Sequence, residues 1–176
     1  MVCSGNICRS PMAAAMLRAR LDERGVPADI RSAGFLTEDR PAPPPILDLL
    51  DARGLDVREH RSRRLTVDDL GAPDLILCME RRHVREVAVL ARDAFERTFT
   101  LPELARRAQV HGPRRDGESV RDWLRRIGAD RRPSDLLGSD PADEVPDPYG
   151  RSDAAYRQAA EMIEQLLDAT LPQMFP

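Results

Sequence analysis

The hydrophobic positions of this chain follow two spacings, and together these predict its secondary structure. Apolar residues three or four positions apart indicate amphipathic helices at residues 10–25, 45–55, 81–99 and 156–171. Short apolar or alternating runs between turn residues indicate strands at residues 28–34 and 74–79. Strands that alternate with helices are typical of an α/β domain built on a parallel sheet.

The first helix has sequence signals at both ends. Ser10 is a candidate N-cap, Pro11 suits the first helical position, and Gly25 can terminate the helix. We therefore expect the preceding residues to form a loop that leads into its N-terminus.

Residues 105–145 depart from this alternation. The segment is rich in arginine, aspartate, glycine and proline, and its one helical patch is VRDWLRRIG at residues 120–128. We interpret it as an insertion in a single domain of residues 1–176, either a mobile loop or a partly ordered lid. A surface loop without a role is the alternative.

The composition gives no reason to expect a nucleic acid or membrane partner, or a disulfide-rich secreted protein. A formal net charge of −3 gives no general attraction to nucleic acid or to an anionic membrane. All 27 Lys and Arg residues are arginine, which we interpret as a bias of composition and not as a set of anion sites. No run approaches about 18 apolar residues, so we expect no membrane span, and we recognise no secretory signal. Three cysteines are too few for a disulfide scaffold. A soluble cytoplasmic protein is expected.

The stretch CSGNICRS, residues 3–10, has the composition of an anion site. It lies directly before a helix, where free backbone N–H groups and the helix dipole favour negative charge. Gly5 allows a tight turn, and Arg9 supplies a planar fork that can bind two oxygens of a phosphate-like dianion. The sulfur of Cys3 can then lie at the bottom of this cradle.

The donors that bind a dianion also stabilise a thiolate, which makes Cys3 the candidate nucleophile. Ser10 can donate its hydroxyl to that thiolate, and Asn6 can bridge the loop through its amide. The other side chains of the loop are candidate wall residues of the anion site: Ser4, Ile7 and Cys8.

Phosphoryl transfer would need an acid besides the thiolate, because the oxygen that leaves phosphorus has to be protonated. Asp147 is the candidate, since Pro146 and Pro148 restrict its backbone and can hold the carboxyl over the cradle. An Asp-Pro turn without a catalytic role is the alternative. Tyr149 is either one wall of the crevice, stacking on a substrate ring, or a packing residue of this loop.

The segment VCSGNICRSPMAAAML resembles the signature of the low-molecular-weight protein-tyrosine-phosphatase family, which includes related arsenate reductases. Four further segments follow in the family's order: SAG at 32–34, GLDVREHRSRRL at 54–65, PDLILCMERRH at 73–83 and PDPYGRSDAAYRQ at 146–158. The chain is identified as a bacterial-type member with an insertion and a shortened N-terminus. The resemblance implies a three-layer, doubly wound α/β fold, with about four parallel strands, helices on both faces and a first strand that is largely missing.

The resemblance also implies an activity, the hydrolysis of phosphotyrosine in proteins or of a small aryl phosphate, with inorganic phosphate as product. Cys3 would attack phosphorus, Arg9 would hold the phosphoryl oxygens and Asp147 would protonate the leaving oxygen, before water hydrolyses the phosphocysteine. No metal or other cofactor is expected. Cys8 is either a small buried residue or the partner of Cys3 in a protective, reversible disulfide.

The residues leave two alternatives open. An arsenate reductase of the same fold is one, because arsenate shares the shape and charge of phosphate, although only Cys78 is available as a further relay cysteine. A non-catalytic module that binds phosphoanions is the other, although a pure binder needs neither a nucleophile nor an acid.

The N-terminus departs from the family's pattern. Relatives have about half a dozen apolar residues before the nucleophilic cysteine, where this chain has Met1 and Val2. Several missing buried side chains, each worth about 1.5–3 kcal/mol, are comparable to a domain stability of about 5–15 kcal/mol. We therefore hypothesise that the natural start lies upstream of Met1. The intact mass of the native protein tests this, because 19.7 kDa would contradict it.

Overall fold

The computed structural model describes residues 1–176, which divide into two compact units. The first unit comprises Met1–Leu65 and Pro146–Glu164, and the second comprises Thr66–Val145 and Gln165–Pro176. The chain forms seven α-helices and four β-strands. No helix has both the length and the apolar composition that crossing a membrane requires.

The first unit contains two strands, two complete helices and the beginning of the last helix. These are β1 (Val2–Cys3), α1 (Arg9–Glu23), β2 (Ala33–Gly34), α2 (Pro44–Asp51) and α7 (Asp153–Met174). Strands β1 and β2 pair in parallel, with Cys3 opposite Gly34. The chain from β1 through α1 to β2 is therefore a β–α–β unit. The first strand is short, as predicted, and it has as many residues as β2.

Helix α1 packs against both strands of this unit. Its side chains Met12, Ala13 and Met16 are completely buried, and the small alanine lets the helix backbone approach the strands closely. The predicted N-cap is wrong: the cap position is Cys8, and Ser10 lies inside the first turn. The Ser10 hydroxyl is not available as a cap because it contacts the Cys3 sulfur instead.

The second unit contains the remaining elements. These are α3 (Asp68–Gly71), β3 (Ile76–Cys78), α4 (Arg81–Leu90), β4 (Thr98–Thr100), α5 (Leu101–His111) and α6 (Val120–Ile127), with 3₁₀ turns at Arg92–Arg97, Pro133–Leu136 and Pro141–Asp143. Strands β3 and β4 pair in parallel, with Leu77 opposite Phe99. The predicted α/β class with about four parallel strands is confirmed.

Two predicted elements differ from the observed ones. The helix expected over residues 81–99 ends at Leu90, and a 3₁₀ turn and strand β4 follow it. Strand β4 escaped detection because it is only three residues long and no glycine or proline separates it from the preceding polar segment. The strand expected over residues 28–34 is limited to β2.

The segment of residues 105–145 contributes to the core of the second unit. In α6, the side chains of Trp123, Leu124 and Ile127 are completely buried, and the Trp123 indole N–H donates to the Gly112 carbonyl oxygen at 3.2 Å. The predicted role of this segment as an inserted loop or lid stays a prediction, as does a single domain over residues 1–176.

Candidate active site

The loop between β1 and α1 is largely buried and folds around the sulfur of Cys3. The Asn6 backbone N–H donates to Cys3 Sγ at 3.2 Å, and Sγ lies 3.0 Å from Ser10 Oγ. The N-terminus of α1, which begins at Arg9, adds the positive end of a helix dipole. A backbone N–H, a hydroxyl and a helix N-terminus all stabilise negative charge on this sulfur.

Asn6 joins the loop to two other segments of the first unit. Its backbone is in the left-handed region (φ 51°), which asparagine tolerates better than most residues. Its Nδ2 donates to Ser10 Oγ and Ser32 Oγ, both at 2.9 Å, and its Oδ1 accepts from the Arg63 backbone N–H at 3.0 Å. His60 Nε2 lies 2.7 Å from the Asn6 carbonyl oxygen. These contacts hold the N–H that faces the Cys3 sulfur.

Gly34, the last residue of β2, allows the loop to approach this strand. A Cβ at this position would lie 2.7 Å from Asn6 N, 2.8 Å from Ser4 O and 2.9 Å from Cys3 O. The Ser4 carbonyl oxygen also accepts the backbone N–H of Phe35 at 2.8 Å. Glycine is therefore required here by close backbone contact.

Arg9 and Asp147 lie next to each other in the site. The Arg9 side chain is 1% exposed, and its Nη2 donates to Asp147 Oδ2 at 2.7 Å and to Ser4 Oγ at 3.2 Å. Asp147 is 41% exposed, and its Oδ1 accepts the Tyr149 backbone N–H at 3.2 Å. The guanidinium that the sequence predicts as a phosphate ligand is thus bound to a carboxylate.

Cys8 has a different environment from Cys3. Burial raises the pKa of the Cys8 thiol to about 12, with further contributions from the charges of Asp147 and Cys3. Cys8 is therefore a protonated thiol at neutral pH, and it is not a competing nucleophile. All three cysteines are free and buried. A reversible disulfide between Cys3 and Cys8 stays one of the two alternatives for Cys8.

These groups surround one pocket of about 180 Å³. Most of the predicted site residues line it: Cys3, Ser4, Gly5, Ile7, Cys8, Arg9, Asp147 and Tyr149. The other two, Asn6 and Ser10, lie behind its surface and contact the Cys3 sulfur. No group of three or more His, Cys, Asp or Glu side chains is arranged to hold a metal ion.

Sequence reasoning missed three residues that line the pocket, namely Leu36, Thr37 and Arg40. The Thr37 hydroxyl donates to the Gly5 carbonyl oxygen and so ties their segment to the loop. Leu36 is 68% exposed and Tyr149 is 56% exposed, so two large apolar surfaces face solvent beside the pocket. The sequence offered one signal for this wall of the pocket: Leu36 is a large apolar residue in an otherwise polar, proline-rich segment.

Comparison with known proteins identifies the family. The sequence model of the low molecular weight phosphotyrosine protein phosphatase family matches residues 1–126. The chain belongs to this family. The probable low molecular weight protein-tyrosine-phosphatase EpsP of Ralstonia nicotianae is 30% identical to this phosphatase over 173 residues, covering 98% of the chain and 92% of the relative.

Two further relatives extend the comparison. The protein-arginine-phosphatase of Bacillus subtilis is 27% identical to this phosphatase over 174 residues, covering 98% of the chain and 93% of the relative. The solved structure of the low molecular weight protein tyrosine phosphatase from T. tengcongensis matches with a TM-score of 0.74 at 27% identity, covering 98% of this chain and 96% of that one.

Family membership confirms the predicted family and the predicted class of enzyme, a cysteine-dependent phosphatase. It favours this class over an arsenate reductase and over a non-catalytic binding module. The names of the relatives include both tyrosine and arginine phosphatases.

Proposed function

We propose that this phosphatase hydrolyses phosphotyrosine in proteins through a phosphocysteine on Cys3. The observation that carries the proposal is the position of the Cys3 sulfur, 3.0 Å from Ser10 Oγ and 3.2 Å from Asn6 N, in a pocket that Arg9 and Asp147 also line. A nucleophile, an anion-binding fork and a proton donor are the three groups that this reaction needs.

In the first half-reaction, the Cys3 thiolate forms a bond to phosphorus while the bond from phosphorus to the tyrosine oxygen breaks. Asp147 gives its proton to that oxygen, and Arg9 with the loop N–H groups binds the remaining phosphoryl oxygens. Since Asp147 is bound to Arg9 at 2.7 Å, the phosphoryl group has to replace the carboxylate at the guanidinium. The displaced carboxylate then takes up a proton from solvent, and the resulting carboxyl group can donate it to the leaving oxygen.

In the second half-reaction, the Asp147 carboxylate takes a proton from water, whose oxygen attacks phosphorus. The bond between phosphorus and sulfur breaks, which releases inorganic phosphate and restores the Cys3 thiolate. The Ser10 hydroxyl, 3.0 Å from the sulfur, stabilises this leaving thiolate.

The wall of the pocket supports an aryl substrate. The side chains of Ile7, Leu36 and Tyr149 offer apolar surface on which a flat ring can pack. Phosphoarginine is the second candidate, because one relative is named a protein-arginine-phosphatase. A planar guanidinium is more polar than a phenyl ring, so three apolar wall residues favour phosphotyrosine.

A cytoplasmic location and the absence of a nucleic acid partner stay predictions. The three free, buried cysteines support a reducing compartment.

Steady-state kinetics on matched peptides test the proposal. Peptides that carry phosphotyrosine, phosphoserine or phosphoarginine are compared, together with arsenate-dependent consumption of a thiol. We expect the highest kcat/KM for phosphotyrosine, and we expect Cys3→Ser to lower kcat by at least about a thousandfold, as removal of a covalent nucleophile does. Cys78→Ala, which removes a cysteine from outside the pocket, is the control. A preference for phosphoarginine, or turnover that persists in Cys3→Ser, contradicts the proposal.

A further inference from the structure

Arg40 is a second cation at the pocket, and its guanidinium has no partner within the protein. Its side chain is exposed and lines the pocket, yet it makes no hydrogen bond or ion pair. Arg9, by contrast, is buried and bound to Asp147. The acidic neighbours Glu38 and Asp39 are also exposed, and neither is paired with Arg40. A free guanidinium at the rim of an anion site is available to an anionic group of the substrate.

The backbone of Arg40 is held in place although its side chain is free. Its N–H donates to Ser62 Oγ at 3.0 Å, and its carbonyl oxygen accepts the Ser62 N–H at 2.8 Å. Ser62 is 3% exposed, and the neighbouring Thr37 donates to the Gly5 carbonyl oxygen of the Cys3 loop. Arg40 therefore extends from a backbone position that is tied to the phosphate-binding loop.

Arg40 lines the same pocket as two exposed apolar side chains. Leu36 and Tyr149 line the same pocket as Arg9 and are exposed, so we expect an aryl ring to pack against them when its phosphoryl group binds Arg9. The pocket has a volume of about 180 Å³, so we expect the residues next to the phosphotyrosine to lie outside it, at the rim. Arg40 lies at this rim, where it can contact those flanking residues.

We propose that Arg40 is a specificity residue, which binds a carboxylate next to the phosphotyrosine and directs the enzyme to acidic phosphotyrosine sequences. The inference rests on the proposed function, since it assumes a phosphotyrosine peptide in the pocket. Because the contact is exposed to solvent, we expect a modest, salt-sensitive effect on KM and little effect on kcat.

Kinetics on three peptides test this role. The peptides are identical except that Asp, Asn or Lys stands on either side of the phosphotyrosine. For the wild type, we expect kcat/KM to be about two- to fivefold higher with Asp than with Asn, and lower with Lys. The Asp/Asn ratio is expected to approach one in Arg40→Gln and to fall below one in Arg40→Glu. High salt is expected to reduce the Asp/Asn ratio of the wild type.

The matched control is Arg24→Gln, which removes an exposed arginine that does not line the pocket and is expected to keep the wild-type ratio. Equal turnover of the Asp and Asn peptides by the wild type, or a preference that persists in Arg40→Gln, overturns the role of Arg40. Wild-type activity on p-nitrophenyl phosphate separates the two failures. If that compound and the phosphotyrosine peptides are not hydrolysed at all, the proposed function itself has failed.

Discussion

Arg9 Nη2 donates a hydrogen bond to Asp147 Oδ2 at 2.7 Å, so the proposed phosphate ligand and the proposed general acid are bound to each other. The arginine is 1% exposed and the aspartate 41% exposed. The pair is therefore anchored on the side of Arg9 and can open toward solvent on the side of Asp147. A phosphate dianion and the Asp147 carboxylate compete for the same guanidinium donors.

The variant Asp147→Asn is expected to change catalysis and phosphate affinity in opposite directions. Loss of the proton donor lowers kcat by about 10²–10⁴-fold. Loss of the competing carboxylate lowers the inhibition constant of inorganic phosphate by about two- to fivefold, the range of a partly exposed ion pair. Steady-state kinetics with p-nitrophenyl phosphate and added phosphate measure both values. Asp153→Asn, at the start of α7, is the control, and weaker phosphate inhibition in Asp147→Asn contradicts the competition.

Gly34→Ala is expected to damage the Cys3 loop. The added methyl group would lie within 2.9 Å of three backbone atoms of the loop, and overpacking of this kind costs about 1–3 kcal/mol of unfolding free energy. The displaced Asn6 N–H would also lose its geometry toward the Cys3 sulfur, so kcat/KM falls. Gly71→Ala is the control, because nothing lies within 4 Å of the Cβ it adds. Urea unfolding and kinetics check both effects, and equal results for the two variants would show that the close contact is relieved.

His60 is expected to make stability depend on pH. Burial lowers the pKa of His60, although its hydrogen bond to the Asn6 carbonyl acts in the opposite direction. As the pH falls below the ordinary histidine pKa of 6.5, His60 binds a proton more readily in the unfolded chain than in the folded protein. The contribution is therefore fully present above this pH and is lost as the pH decreases.

Urea unfolding at about pH 7.5 and about pH 5.5 measures this dependence. We expect the unfolding free energy of the wild type to fall more between these two values than that of His60→Gln, whose amide can still donate to the carbonyl oxygen. His111→Gln, which replaces an exposed histidine, serves as the control. The same pH dependence in wild type and His60→Gln would exclude His60 as its source.

Trp123→Ala is expected to destabilise the second unit by about 3–5 kcal/mol, because the side chain is completely buried and its removal leaves a cavity. Val110→Ala, at a 73% exposed position of α5, is expected to stay within about 0.5 kcal/mol of the wild type. Chemical denaturation of the two variants provides the comparison. If Trp123→Ala lowered the unfolding free energy as little as Val110→Ala, residues 105–145 would not contribute to the stability of the second unit.

Patterns among neighbouring residues predict the parts of this protein that depend on local contacts. Cys3, Gly5, Asn6 and Arg9 stand within one short stretch that runs from the end of β1 to the start of α1, so their chemistry could be inferred from spacing. The long helix α7 was equally predictable, because its apolar residues recur with helical spacing over several turns.

Contacts between residues that are distant in the chain become visible in the folded protein, and no local pattern predicts them. Asp147 is 138 positions from Arg9, and neither Leu36 nor Arg40 carries a pattern that assigns it to the pocket. Strand β4 shows the same limit for the fold, since its three residues become a strand by pairing with β3. Local spacing reports hydrogen bonds and packing between neighbours in sequence. Contacts across long separations depend instead on where paired strands and their connections bring the chain together.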